Sequence, residues 1–196
     1  GAIFVTGSAI QWLRDGINII DSAPEIGPLA ESVPSTDGVV VVPAFTGLGS
    51  PWWDPYARGA VLGITRGTTR AHIARAVVES ISYQTRDVVE AMSHAAGVTV
   101  TDMRVDGGAA VMNLLLQLQA NQLGVSVMRP RELETTAMGA AYLAGLAEGV
   151  WTSLQSVTDA WKLDTVFAPQ PTGTETHDYM LWKRAVDRSL NWALPE

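Results

Sequence analysis

"RVDGGAAVMN", residues 104–113, is the stretch on which the fold turns. Apolar strand residues run into it, two adjacent glycines interrupt, and an apolar helix pattern follows. A strand feeding a helix through a tight turn is the repeating unit of an α/β sheet. Without a Cβ, Gly107 and Gly108 let the backbone bend sharply and let something lie directly against it. That neighbour is either a packed helix or a ligand, and these ten residues leave both open.

Working outward, residues 103–105 read as a strand and residues 110–124 as a helix stopped by Gly124. Residues 125–130 (VSVMRP) read as the next strand. "TTAMGAAYLAGLAEG" (135–149) is a helix of small residues suited to close packing on a sheet. Upstream, "VVVVPAF" (39–45) opens with a β-branched run, the pattern of a strand buried on both faces. A long loop (46–59) leads to a strand at 60–64. A helix then spans about 71–95, with Val77, Ile81, Val88, Met92 and Ala95 on one face and Gly97 placed to end it. At the start, residues 2–5 read as a short strand. Thr6-Gly7-Ser8 then opens a helix with Ile10, Leu13, Ile17 and Ile20 on one face. Gly27, Pro28, Pro34 and Asp37-Gly38 mark loop, with room for a short helix at 29–32. Helices near 153–161 and 174–193 close the chain, the last with Tyr179, Trp182, Val186 and Leu190 on its apolar side. The expectation is an α/β domain with a mixed sheet flanked by helices.

Composition narrows the function classes. The chain has 196 residues, 47% hydrophobic and 17% charged, in the range of an ordinary globular protein. A net charge of −7 argues against nucleic acid as a partner. The absence of cysteine excludes disulfides, thiolate zinc sites and thiol catalysis. His72, His94 and His177 are far apart and read as solvated or packed side chains, so no metal site is expected. No apolar run approaches a membrane span and no leader pattern opens the chain, so the expected location is cytoplasmic, with no membrane partner. The opening "GAIFVTGSAIQW" lacks an initiator Met and starts in what reads as a strand tail, which suggests a piece of a longer protein.

In open α/β sheets, ligands gather where strands give way to helices. Three such turns are rich in small residues: Thr6-Gly7-Ser8, Asp106-Gly107-Gly108 and Thr135-Thr136-Ala137. Each feeds a helix whose first N–H groups are unpaired and slightly positive, so together they favour a nucleotide. No GxxxxGK[ST] loop, GxGxxG fingerprint or GxSxG elbow is present. Asp54 and Arg58 in "WWDPYARG" read as an ion pair that pins the loop, with a site at that pair as the alternative, and Asp106 reads as a carboxylate accepting from the N–H groups of the turn that follows. A water-mediated approach of Asp106 to a magnesium–nucleotide complex is the alternative.

"GSAIQWLRDG", "VVPAFTGLGSPWWDPYARGAVLGITRG", "ARAVVESISYQTRDVVEAM", "RVDGGAAVMN" and "ETTAMGAAYLAGLAEGVW", in this order, resemble the C-terminal part of the FGGY carbohydrate kinases. The loop wording points to the members that act on glycerol, before those acting on xylulose or ribulose. The resemblance covers nearly all of residues 1–151 and fades beyond. It implies an actin-like, ribonuclease-H-like fold whose two domains close over ATP, which gives its γ-phosphoryl group to glycerol with Mg2+ accompanying the nucleotide. Residues 1–168 would then be the C-terminal kinase domain without its first strands, and residues 169–196 a helix packed on it. Carried over by position, Gly7, Gln11, Gly108, Met112 and Asn113 fall at the ATP/ADP site, with Gly107 and Asp106 beside them. Met112 stands where the family usually has Asn, so a thioether packs where an amide would hydrogen-bond.

The resemblance also puts the catalytic base, the glycerol contacts and the phosphate-gripping loops upstream, so no catalytic residue is assigned within the chain. A lone fragment is therefore expected to be inactive, to need the missing N-terminal domain, and to expose a sheet edge that favours a homo-oligomer. Two alternatives stay open: another sugar or polyol kinase of the family, and a non-catalytic nucleotide-binding module.

Overall fold

A computed structural model describes residues 1–194. Its frame is set by α3 (Arg70–Ala96), about 40 Å of helix at 1.5 Å per residue. Thr69 and His72 close a capping box at its head, where the His72 Nδ1 accepts from the Thr69 N–H at 3.0 Å. Gly97, at φ +64, ends it in the left-handed conformation that glycine adopts without penalty. Against it pack α1 (Gly7–Asp15), α2 (Ile26–Glu31), β1 (Val40–Val42), α4 (Asn113–Leu123) and α7 (Glu175–Ser189), and β2 (Ala60–Leu62) lies on β1 and α7.

The sheet is divided in two. β1 and β2 pair antiparallel, with Val41 opposite Val61. β3 (Asp102–Arg104), β4 (Ser126–Pro130) and β5 (Leu163–Phe167) form a mixed sheet in the order β3-β4-β5, parallel then antiparallel. The outer edges of β3 and β5 have no ladder partner among the described residues.

Alternation along β1 serves both sides of the molecule, since successive side chains of a strand point to opposite faces. Val39 and Val41 join α1, α2 and α3 in one core through Leu13, Ile26, Val77 and Ile81. Val40 and Val42 join α7 in another, with Trp182 and Val186 fully buried. A third core lies where Leu116 and Ala120 of α4 meet Val127 and Phe167. β1 is thus buried on both faces as its β-branched run implies, although its partner runs antiparallel.

α7 is held to α3 by a buried carboxylate. The Tyr179 hydroxyl donates to Asp87 Oδ1 at 2.6 Å and the Trp182 indole to Oδ2 at 2.8 Å. Burial pushes the Asp87 carboxyl above the usual carboxylate range, and these donors only partly oppose it. Such a joint is specific, because a donor left without its acceptor here costs more than the bond itself contributes.

Several expectations fail for identifiable reasons. Residues 2–5 form no strand, having no ladder to join, and the chain bends at Phe4; the Ala2 carbonyl accepts from the Ser50 N–H at 2.9 Å. α1 stops at Asp15, Asn18 takes φ +51, and Ile17 faces solvent while Ile20 turns back into the core. The apolar face of α3 is buried only as far as Asp87, leaving Met92 exposed. α5 (Thr135–Ala147) forms where expected but does not pack on the sheet: of its residues only Gly145 is buried, under Trp151. α6 (Leu154–Ala160) agrees with its periodicity, and α7 ends at Ser189, short of 193. β5 was not expected at all.

Candidate functional site

Four segments enclose a cavity of about 730 Å3, within the rough 300–1,000 Å3 range of small-molecule sites. Thr6 and Gly7 come from the head of α1, Pro24 and Gly27 from the 3-10 turn and α2, and Gly107 and Gly108 from the turn after β3. Met112 and Asn113, at the start of α4, close the fourth side. Neither α1 nor α4 has a side-chain cap or an acidic residue in its first turn. Two helix heads therefore turn the positive end of the helix dipole toward the cavity, which the carboxylates of Glu31 and Asp106 also line.

The glycines answer the question that residues 104–113 raised. A Cβ placed on Gly7, Gly107 or Gly108 would meet no other described atom within 4 Å. Gly107 needs glycine for its backbone, at φ +81. Gly7 and Gly108 do not have positive φ, and no helix leans on them. The packed-helix alternative is therefore not what occupies this turn; the space beside Gly108 is the cavity itself.

Every residue carried over from the resemblance lines that cavity: Gly7, Gln11, Asp106, Gly107, Gly108, Met112 and Asn113. Two of the three small-residue turns converge there, and the third does not. Thr135 instead reaches Asp106 from behind, its hydroxyl donating to the carboxylate, while the Gly107 N–H donates to the Leu133 carbonyl at 3.0 Å. The expectation that Asp106 accepts from the N–H groups of its own turn is thus corrected: its partner is the first residue of α5. The Asn113 amide is already engaged, its Oδ1 accepting from Arg129 at 2.8 Å, while Arg129 also bridges to Asp164 at 2.9 Å.

The wall formed by Ala23, Pro24, Gly27 and Pro28 was legible in the sequence only as loop. Its signal was two prolines around a glycine, compatible with a helix that begins at a proline and shows bare backbone on one side. The Asp54–Arg58 ion pair does not form. Asp54 accepts from the Tyr56, Ala57 and Asn191 N–H groups, at 2.8, 3.1 and 2.7 Å, and Arg58 donates to the Pro55 and Ala57 carbonyls. The loop is pinned as expected, by backbone in place of opposite charge. A separate hollow of about 520 Å3 lies between α3 and α7; Arg75 and Glu79 in its wall are paired at 2.9 Å, and burial raises the Glu79 carboxyl pKa.

Among the described residues no group of His, Asp and Glu is arranged to hold a metal ion, and no helix is long and apolar enough to cross a membrane.

Comparison with known proteins shows the family. Residues 1–148 match the FGGY family of carbohydrate kinases, C-terminal domain. A glycerol kinase of Saccharolobus islandicus is 55% identical over 194 residues, 98% of this chain and 39% of that protein. Glycerol kinase 2 of Thermotoga maritima is 57% identical over 193 residues, again 98% and 39%. The chain therefore spans 39% of the length of these curated relatives. The crystal structure of Plasmodium falciparum glycerol kinase with ADP superposes with a TM-score of 0.86 at 33% identity, covering 97% of this chain and 38% of that one. A ligand-bound xylulose kinase from Lactobacillus acidophilus, at 24% identity and TM-score 0.74, shares the fold over 93% of this chain and 37% of its own.

Proposed function

The chain belongs to the FGGY family of carbohydrate kinases, and from that premise we propose that it is the nucleotide-holding portion of a kinase that phosphorylates glycerol from ATP. In this reading residues 1–168 form most of the C-terminal domain, and the segment from 169 onward packs on it. The described part of that tail, through α7, seats Trp182 against β1. The observation that carries the reading is the pair of bare turns, Gly7 and Gly107-Gly108, opening on one cavity with nothing packed against them.

In this reading the nucleotide lies with its sugar and first phosphate along the main chain of Gly107 and Gly108, where a side chain would block it. The uncapped heads of α1 and α4 face the phosphates and favour their charge without a lysine or arginine clamp. Gln11, exposed one turn along α1, is within the same cavity to meet the sugar. Asp106, which accepts from the Thr135 hydroxyl, would face, through water, any Mg2+ that accompanies the nucleotide and offsets its phosphate charge. The contacts to the acceptor glycerol, and the base that takes the proton of its hydroxyl, belong in this reading to the polypeptide that the relatives carry upstream. Phosphoryl transfer depends on positioning from both sides of the cleft, so this half binds but does not turn over. The exposed β3 edge gives the isolated chain a route to self-association. A soluble substrate pair and the absence of any span among the described helices fit a cytoplasmic enzyme.

Calorimetric titration of the purified chain with ADP tests the reading. Saturable one-to-one binding is expected, with no glycerol 3-phosphate formed from ATP and glycerol. Absence of ADP binding by the folded chain overturns the nucleotide assignment, and turnover by the chain alone overturns the division of labour.

A further inference from the structure

We propose that Arg129 is a positioning residue of the nucleotide site: it fixes the Asn113 amide with the NH2 group free for the cavity, and that amide reads the edge of an adenine at N7 and the 6-amino group. The inference rests on the nucleotide reading above and extends it to the base. Arg129 reaches across from β4 with every nitrogen of its guanidinium engaged. Nη1 donates to the Asn113 Oδ1 at 2.8 Å, Nε to the Asp164 carboxylate at 2.9 Å and Nη2 to the Thr165 hydroxyl at 3.2 Å. The side chain is only 16% exposed and its guanidinium lies over the Phe167 ring, so packing holds the fork as well as hydrogen bonds.

A guanidinium has donors and no acceptor, so it dictates which end of an amide faces it. The Asn113 oxygen turns to Arg129, which leaves Nδ2 without a hydrogen-bond partner among the described residues, on a side chain that lines the cavity. The oxygen keeps a second lone pair for a ligand. Gln11 and Glu31 line the same cavity, but no hydrogen bond among the described residues holds either side chain, so neither presents a set orientation. Met112 is half-buried against the α2 core and offers its thioether as an apolar face. Met112 and Asn113 are consecutive at the head of α4 and leave the backbone in different directions, so a ring lying on Met112 turns its edge toward Asn113. One donor beside one acceptor matches adenine, which presents N7 and an amino group on that edge. Guanine presents two acceptors there, N7 and a carbonyl, so oxygen would meet oxygen.

Calorimetric titrations of the chain with ADP, 7-deaza-ADP and GDP, crossed with substitutions at the two residues, decide the matter. 7-deaza-ADP, which has carbon in place of N7, is expected to bind at least about threefold more weakly than ADP, and GDP at least about fivefold more weakly. In Asn113→Ala, an exposed position, both differences should shrink below about twofold. Arg129→Met should lower ADP affinity at least about threefold in the parent and less than about twofold in the Asn113→Ala background, because Arg129 acts through the amide. If Arg129→Met does not fold, Arg129→Lys carries the same cycle: it keeps the charge beside Asp164 but replaces the fork with a point donor. Equal binding of ADP and 7-deaza-ADP overturns the proposal while leaving nucleotide binding intact. So does a loss at Arg129 that is as large without the Asn113 amide as with it, the result of a merely structural role. Failure of ADP itself to bind the folded chain overturns the proposal together with the reading it rests on.

Discussion

The segment from 46 to 63, a loop and the short β2, and the turn at 106–108 are both glycine-rich, yet their glycines do opposite work. In that segment each one lets protein meet protein. A Cβ on Gly47, at φ +89, would come within 2.6 Å of the Asp54 carbonyl oxygen, and one on Gly59 within 3.0 Å of the Phe45 ring. A Cβ on Gly49 would run into the Ala2 carbonyl, and one on Gly63, at φ +80, into the Gly38 carbonyl. At the turn, a Cβ on Gly107 or Gly108 would meet nothing. The same residue enrichment thus has two causes, internal contact and room for a visitor. Only the surroundings of the missing Cβ distinguish them.

The sharpest way to break this contrast is at Gly63. Gly63→Ala combines a strained positive φ with a backbone clash, and should destabilise the fold by about 3 kcal/mol or more, roughly 6–12 °C in melting temperature. Thermal unfolding that leaves this variant within 2 °C of the parent, itself below about 1 kcal/mol, would erase the distinction. Gly108→Val tests the other side: its melting temperature should stay within roughly 3 °C of the parent, about 1 kcal/mol. Its ADP affinity should fall at least tenfold, about 1.4 kcal/mol. Unchanged affinity in calorimetry would mean that the bare turn is not a binding surface.

The smallest effect sharpens the comparison with a region that is packed throughout, the α3–α7 joint. Asp87 has its pKa raised by burial, so the folded state takes up its proton more readily than the unfolded chain. Its contribution to stability is therefore fully present below the unfolded pKa, about 4, and is lost as pH rises through the higher folded value. Asp87→Asn removes this titration. The stability of the parent relative to the variant should thus increase as pH falls from 7 toward about 4, read by chemical denaturation at each pH. A gap that narrows on acidification would contradict the burial-driven shift.

Much of the frame was legible in residue pattern because it is local. α3 announced itself by period and by Gly97, β4 by VSVM, and the cavity's glycine turn by its place between strand and helix. What was not legible depends on partners far along the chain. β5 has three apolar residues, Leu163, Val166 and Phe167, of which only Phe167 is buried, and it exists because β4 pairs with it. Residues 2–5 have strand composition but no ladder, and α5 has the small residues of a packed helix but no described sheet beneath it. The Asp87 joint links residues more than ninety positions apart. In the candidate site, the residues placed by resemblance came together, whereas the α2 wall could be found only once the chain had folded back on it.

The run of four valines at 39–42 has a consequence for assembly. Val39 and Val41 belong to one core and Val40 and Val42 to the other, so sliding the strand by one place would exchange valine for valine across most of both faces. Side-chain identity cannot penalise that error, which for most strands it does. Alignment must be enforced from the ends of the run, by Pro43, which has no N–H for a ladder, and by the close approach of Gly63 to the Gly38 carbonyl. The information that seats the most buried strand of the molecule is therefore held by its bookends.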